Sequence, residues 1–196
     1  MSNHYTEPSN LTLLGYRMFY DPLRARYLRG LVASLQLDGT ERVLDFGSGP
    51  GSEATYLARA LDRGGRVTCL YVSPIWLGGA RRRLRRFDNV DFLLGEASAV
   101  ALPAATFDVV LAHYVLHDVD GAALTDSLGA LSNTLRPGGR FVVVEPIGAQ
   151  HGLGADELGS LMDAAGLSER SREVVHPPFG SATRAVYRTF WPPSSF

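Results

Sequence analysis

The sequence predicts an α/β chain built on a mostly parallel sheet. From Arg42 onward, short β-branched runs alternate with longer segments of helical periodicity, and the run Val43–Phe46 passes straight into a glycine-rich turn that opens a helix. Parallel strands are expected at Arg42–Phe46, Arg66–Tyr71, Val90–Leu94, Phe107–Ala112 and Arg140–Glu145. Each is an apolar run bounded by Gly, Asp, Asn or Pro, as suits a strand covered on both faces. Glu169–Val175 and Ala182–Phe190 alternate polar and apolar residues, which adds a terminal antiparallel hairpin and brings the count to seven strands.

Helices are expected on both faces of that sheet. Ser52–Leu61 is one, and Pro74–Phe87 is a second, with Ser73 as its N-cap and Pro74 at the first helical position. Leu124, Leu128, Leu131 and Leu135 form the apolar stripe of a crossover helix that stops before the turn Pro137-Gly138-Gly139. Asp156–Ala165 is a short helix closed by Gly166. Ahead of the sheet, Asp21-Pro22 starts a helix with the stripe Leu23, Tyr27, Leu28, Leu31, Val32 and Leu35. Residues 1–38 are therefore expected to form an N-terminal helical cap or lid, and residues 39–196 the ligand-binding domain.

Composition narrows the function. The 196 residues, 45% apolar and 20% charged, suit one globular domain with an extension. A net charge of −1 supplies no field for a nucleic acid or an anionic membrane. Every basic residue other than histidine is Arg, so lysine Schiff bases, lysine general bases and a P-loop are excluded. The dense run Arg81, Arg82, Arg83, Arg85 and Arg86 falls on a predicted helix and reads as a solvated face, so no nucleic-acid partner is expected. Cys69 is the only cysteine, which rules out an intramolecular disulfide and a multi-cysteine zinc site, and points to an inert thiol in a reducing, cytoplasmic setting. The polar segment Met1–Asn10 carries no signal pattern, and no stretch approaches the ~20 apolar residues that span a bilayer.

The sharpest motif is Val43-Leu44-Asp45-Phe46-Gly47-Ser48-Gly49-Pro50-Gly51. Glycines without Cβ atoms allow positive φ and let a ligand lie against bare backbone, at ~0.5–1 kcal/mol each. Three at alternate positions imply a ligand. A dinucleotide fingerprint would need its third glycine at position 52, where Ser52 stands, so pyrophosphate binding is not favoured.

With its strand-end Asp45 and its glycines, this motif resembles the first motif of class I S-adenosylmethionine-dependent methyltransferases. Gly95-Glu96-Ala97 after the third strand, Phe107-Asp108-Val109-Val110, and Leu135-Arg136-Pro137-Gly138-Gly139-Arg140-Phe141 resemble later motifs in the same order, and the resemblance runs from about Arg42 to Phe190. It implies a Rossmann-like fold, S-adenosylmethionine as cofactor, and methyl transfer to a small-molecule acceptor. The cofactor residues it implies are Tyr20, Asp45, Phe46, Gly47, Ser48, Gly49, Gly51, Tyr71, Val72, Glu96, Ala97, Ala112 and His113. Asp45 orders the loop near the methionine end, Tyr71 meets the ribose, and Glu96 and Ala97 meet the adenine.

One position departs from the family. The second strand ends in Tyr71, where relatives carry a carboxylate that holds both ribose hydroxyls. The lost bidentate contact is worth ~1.5–3 kcal/mol, which ring packing and one phenolic hydrogen bond can partly offset. Two alternatives follow from it: a non-methylating reaction such as cyclisation or isomerisation on the same fold, and a noncatalytic binding module.

After the fourth strand, His113-Tyr114-Val115-Leu116-His117-Asp118 lies where ligands of open α/β sheets bind, and His117 is the candidate general base. The His113/His117 spacing with Asp118 and Asp120 lacks a third placed ligand, and metal-dependent relatives carry a carboxylate at the position of Tyr114, so no metal is expected. Tyr16, Phe19, Tyr20 and Arg24 are candidates for a lid over the cofactor, and His151 and His176 fall in loops that could shape an acceptor pocket. Neither the acceptor nor the oligomeric state has a signal.

Overall fold

The computed structural model describes residues 9–147, 153–178 and 180–189. It divides into two compact units, Met1–Gly95 and Glu96–Phe196, which together carry the seven strands of a mixed sheet.

The first unit opens with α1 (Asn10–Gly15), capped by Ser9, whose hydroxyl accepts from the Thr12 amide at 3.1 Å. A π-helical turn, Tyr16–Tyr20, joins it to α2 (Asp21–Ser34). The cause is Pro22: it has no N–H for the carbonyl of Met18, and the helix absorbs the defect just upstream, where the Asp21 amide bonds the Tyr16 carbonyl. Of the stripe expected on α2, Leu28, Leu31, Val32 and Leu35 are buried, whereas Leu23 is 63% exposed. The α-helix starts at Asp21-Pro22 as expected, but it follows directly on the π-helical turn rather than on a loop.

Next come β1 (Arg42–Phe46), α3 (Ala54–Ala60), β2 (Arg66–Tyr71), α4 (Pro74–Leu84) and β3 (Val90–Leu94). The strands run parallel in the order β3-β2-β1, with Asp45 opposite Cys69 and Tyr71 opposite Leu94. Ser73 caps α4 by accepting from the Trp76 amide at 3.2 Å, as expected. Ala54, Cys69, Leu77, Ala80 and Leu84 form one buried cluster, with Tyr71, Phe87, Val90 and Phe92 packed against it. Burial pushes the Cys69 thiol well above its usual range, in keeping with an inert thiol.

The second unit contains β4 (Phe107–His113), α5 (Gly121–Thr134), β5 (Leu135–Pro146), α6 (Ala155–Ala164), β6 (Leu167–Val175) and β7 (Ala182–Thr189). Its order is β4-β5-β7-β6, with β4 and β5 parallel and the last three antiparallel. The expected turn at Pro137-Gly138-Gly139 is a bulge inside β5, because Leu135 already pairs with Phe107 before the register shifts. A Cβ on Gly139 would lie 2.9 Å from the Arg136 oxygen and 3.0 Å from the Phe107 oxygen, so the close approach requires glycine.

Gly65 has the same role before β2. Its amide donates to the Gly39 carbonyl at 2.9 Å, and a Cβ there would sit 2.6 Å and 2.7 Å from the backbone oxygens of Glu41 and Gly39. Neither neighbour is a flexible side chain, so Gly65→Ala is expected to cost about 2–3 kcal/mol. Urea denaturation checks this, with a lower midpoint at unchanged slope.

Candidate functional site

Asp45 ends up 2% exposed near the carboxyl end of β1, followed by buried Phe46 and the turn. The amides of Gly47 and Ser48 both donate to the Leu70 carbonyl, at 3.0 and 3.3 Å, which ties the turn to the end of β2. Gly47, Gly49 and Gly51 have φ of 80°, 50° and 76°, a region that disfavours side chains. Gly51 and Gly49 serve different purposes. A Cβ on Gly51 would meet Leu84 Cδ1 at 2.9 Å and Ala80 Cβ at 3.1 Å, so Gly51 lets α4 pack against the turn. A Cβ on Gly49 would meet nothing nearer than the Gly47 oxygen at 3.9 Å, leaving bare backbone beside open space.

Burial, reinforced by the neighbouring Glu53 carboxylate, pushes the Asp45 carboxyl well above its usual range. Asp45 Oδ2 makes no hydrogen bond to the described protein. A buried carboxylate retained at this cost, with one oxygen unsatisfied, suits a ligand that supplies the missing donor.

The residue after the turn is also held. Ser52 Oγ donates to Asp21 Oδ1 and accepts from Arg83, both at 2.6 Å, and Arg83 pairs directly with Asp21. This links α2, the glycine turn and α4. Tyr16 stacks on Tyr20 at 5.1 Å, meets the Trp76 ring edge-on at 5.5 Å, and accepts from Arg24 at 2.7 Å. Tyr20 itself is 46% exposed and Phe19 70%. The arginine run is largely engaged within this unit: besides Arg83, Arg81 lies over Phe92 at 4.8 Å and Arg86 over Phe87 at 5.2 Å.

Tyr71 is half-buried at the end of β2, where its carbonyl accepts from the Gly95 amide at 3.0 Å, and Val72 is 37% exposed. In the second unit Glu96 is exposed, with its carbonyl accepting from Ala99 and Val100, while Ala97 is buried.

Ala112 and His113 end β4 and are buried. The chain then turns through Tyr114, at φ 55°, into a 3-10 turn over Leu116–Asp118. His113 is therefore on a strand and His117 on a different element, so their four-residue spacing is not helical. Among the described residues, no group of three or more His, Cys, Asp or Glu is placed to hold a metal.

His117 meets a residue that sequence reading treated only as the end of a strand. Glu145, buried near the end of β5, accepts from the amides of Val115 and Leu116 through Oε1, at 2.9 and 2.8 Å, and its Oε2 lies 2.6 Å from His117 Nδ1. That carboxylate, aided by Asp118 with Oδ1 3.6 Å from Nε2, holds the imidazole above its ordinary range. The signal that could have found Glu145 is an acidic residue closing the apolar run Val142-Val143-Val144. His176 is exposed beside Ser181, and His151 lies outside the described residues.

A family model for the methyltransferase domain matches residues 44–143, half of the chain. The chain belongs to the class I S-adenosylmethionine-dependent methyltransferases. This methyltransferase domain is 33% identical, over 121 residues, to a demethylmenaquinone methyltransferase of Tropheryma whipplei, covering 62% of this chain and 48% of that protein. It is 36% identical over 135 residues to a ubiquinone biosynthesis O-methyltransferase of Methylocella silvestris, covering 61% and 50%. The chain thus spans about half the length of the curated relatives it matches. Its fold matches the crystal structure of Burkholderia thailandensis 1,6-didemethyltoxoflavin-N1-methyltransferase, which holds that compound and S-adenosylhomocysteine, with TM-score 0.70, 22% identity, and coverage of 91% and 84%. The family's cofactor is S-adenosylmethionine, and the open face at Gly49 and the unsatisfied Asp45 oxygen fit it.

Because Asp45 is destabilising when ionised, Asp45→Asn is expected to raise Tm at pH 7 by about 2–4 °C. The folded carboxyl lies above its unfolded value of about 3.9, so the variant's advantage should grow as pH rises from there and vanish below it. Scanning calorimetry at several pH values reads both effects.

Proposed function

We propose that this domain transfers a methyl group from S-adenosylmethionine to a small-molecule acceptor. The observation that carries the reading is the positive-φ glycine turn running out of buried Asp45, in a chain of this family. The cofactor supplies an electrophilic methyl on a sulfonium, and the protein supplies alignment, which provides most of the rate in an in-line displacement. Asp45, Phe46, Gly47, Ser48, Gly49 and Gly51 hold its methionine end, Tyr71 and Val72 its ribose, and Glu96, Ala97, Ala112 and His113 complete its surroundings. Tyr20, in the cap over residues 1–38, closes on it. His117 serves the acceptor as general base.

Small acceptors are supported by the names of the relatives, which concern menaquinone and ubiquinone synthesis. Among the described residues no helix is long and apolar enough to cross a membrane, and a cytoplasmic setting is part of the proposal. The second reading is a non-methylating reaction with the same cofactor. Tyr71 favours it, because a phenol replaces the carboxylate expected at the ribose.

Calorimetric titration with S-adenosylmethionine and S-adenosylhomocysteine tests the site. Binding is expected in the micromolar range and is lost in Gly49→Arg, whose side chain fills the open space beside the turn. No binding by the wild-type protein refutes the methyl-transfer reading; binding without turnover of any acceptor favours the second.

A further inference from the structure

Glu145 is 1% exposed, and its contacts restrict the state of the histidine it faces. Oε1 already accepts from two backbone amides, at 2.9 and 2.8 Å, which fixes the carboxyl group in place and leaves Oε2 to face the imidazole. Its other oxygen lies 2.6 Å from His117 Nδ1, and an acceptor at that distance requires Nδ1 to carry the proton. In the neutral ring the lone pair then resides on Nε2. Among the described residues, the titratable groups near the ring include Glu145 on β5, Asp118 on its own turn, with Oδ1 3.6 Å from Nε2, and Tyr114, with its ring 6.4 Å away; the His113 ring on β4 lies 4.9 Å from that of Tyr114. At 3.6 Å Asp118 makes no hydrogen bond to Nε2 and leaves that atom available.

We propose that Glu145 is a positioning residue that locks His117 in the Nδ1–H tautomer, so that Nε2 takes the proton of an acceptor bearing a phenolic or enolic hydroxyl. The proposal rests on the methyl-transfer reading above. In the step, the acceptor O–H bond breaks and its proton goes to Nε2. The electron pair left on oxygen forms the new bond to the methyl carbon, while the carbon–sulfur bond of the sulfonium donor breaks with its pair going to sulfur. The products are a methyl ether, a neutral thioether and an imidazolium that returns its proton to solvent. A base of imidazole strength suits a phenol, with a pKa near 10, whose neutral form is a poor nucleophile. Thiols are far stronger nucleophiles at neutral pH, and amines attack through their own lone pair, so neither requires this arrangement.

The test uses Glu145→Gln. The amide oxygen still accepts from Val115 and Leu116, but the amide NH2 now faces Nδ1 and favours the opposite tautomer. Nitrogen-15 NMR of cofactor-free protein from pH 5 to 9 should show His117 as Nδ1–H with a midpoint above 6.5 in the wild type. In Glu145→Gln it should show Nε2–H with a lower midpoint. Turnover of catechol or hydroquinone should fall about 10²–10⁴-fold in the variant, with loss of the acid limb that tracks the wild-type midpoint. If Glu145→Gln does not fold, His117→Ala, which leaves the Glu145 contacts to Val115 and Leu116 in place, should regain turnover of these phenols on adding imidazole.

An Nε2–H tautomer in the wild type, or an unchanged midpoint in the variant, overturns the proposal. So does methylation of 2-mercaptoethanol or butylamine in preference to the phenols, or cofactor binding with neither phenol turned over. Failure to bind S-adenosylmethionine overturns the methyl-transfer reading instead, and the NMR result stands apart from it.

Discussion

The turn after β1 is the constraint on which the first unit depends. Leu70 at the end of β2 binds the amides of Gly47 and Ser48, α4 packs against Gly51, and α2 reaches the same place through Asp21, Ser52 and Arg83. A side chain at Gly51 would push α4 off the turn, whereas one at Gly49 would meet open space and be opposed only by its φ of 50°. Packing therefore explains one glycine of the motif, while the other combines positive φ with an open space that suits a ligand. Asp45 belongs with the second kind, because its burial opposes folding whenever it is ionised.

Glu145 plays the corresponding part in the second unit. One carboxylate holds the chain where it leaves β4, through Val115 and Leu116, and orients His117. Tyr114 takes positive φ in this turn, and its amide bonds the Val144 carbonyl, next to Glu145 in sequence. Backbone geometry and proton chemistry are thus coupled through a single side chain, which is why Gln is the informative replacement and a truncation is not.

Much of this was legible in the chain. The strands were visible because each is an apolar run with sharp polar or glycine boundaries, and the glycine turn because its spacing has few structural uses. The π-helical turn was hidden: the effect of Pro22 depends on helix upstream of it, and Tyr16–Tyr20 has no periodicity that marks five-residue hydrogen bonding. Pro137-Gly138-Gly139 reads as a turn because Pro and two glycines usually end an element, and only the pairing of Leu135 with Phe107 shows that the strand passes through them. Leu23 fitted the apolar stripe by spacing yet is exposed, since periodicity gives the face of a helix and not how far along it the neighbour extends. Glu145 was overlooked because its partners lie 28 to 30 residues away, a separation no local pattern reveals.

Hydrogen exchange read residue by residue, with and without S-adenosylhomocysteine, tests most directly whether the glycine turn is the cofactor site. The account predicts slower exchange at the amides of Gly49, Gly51, Ser52 and Glu53 and at Val72, with little change in β6 and β7. Protection confined to other segments, with the amides of Gly49, Gly51, Ser52 and Glu53 unaffected at saturating ligand, would contradict it.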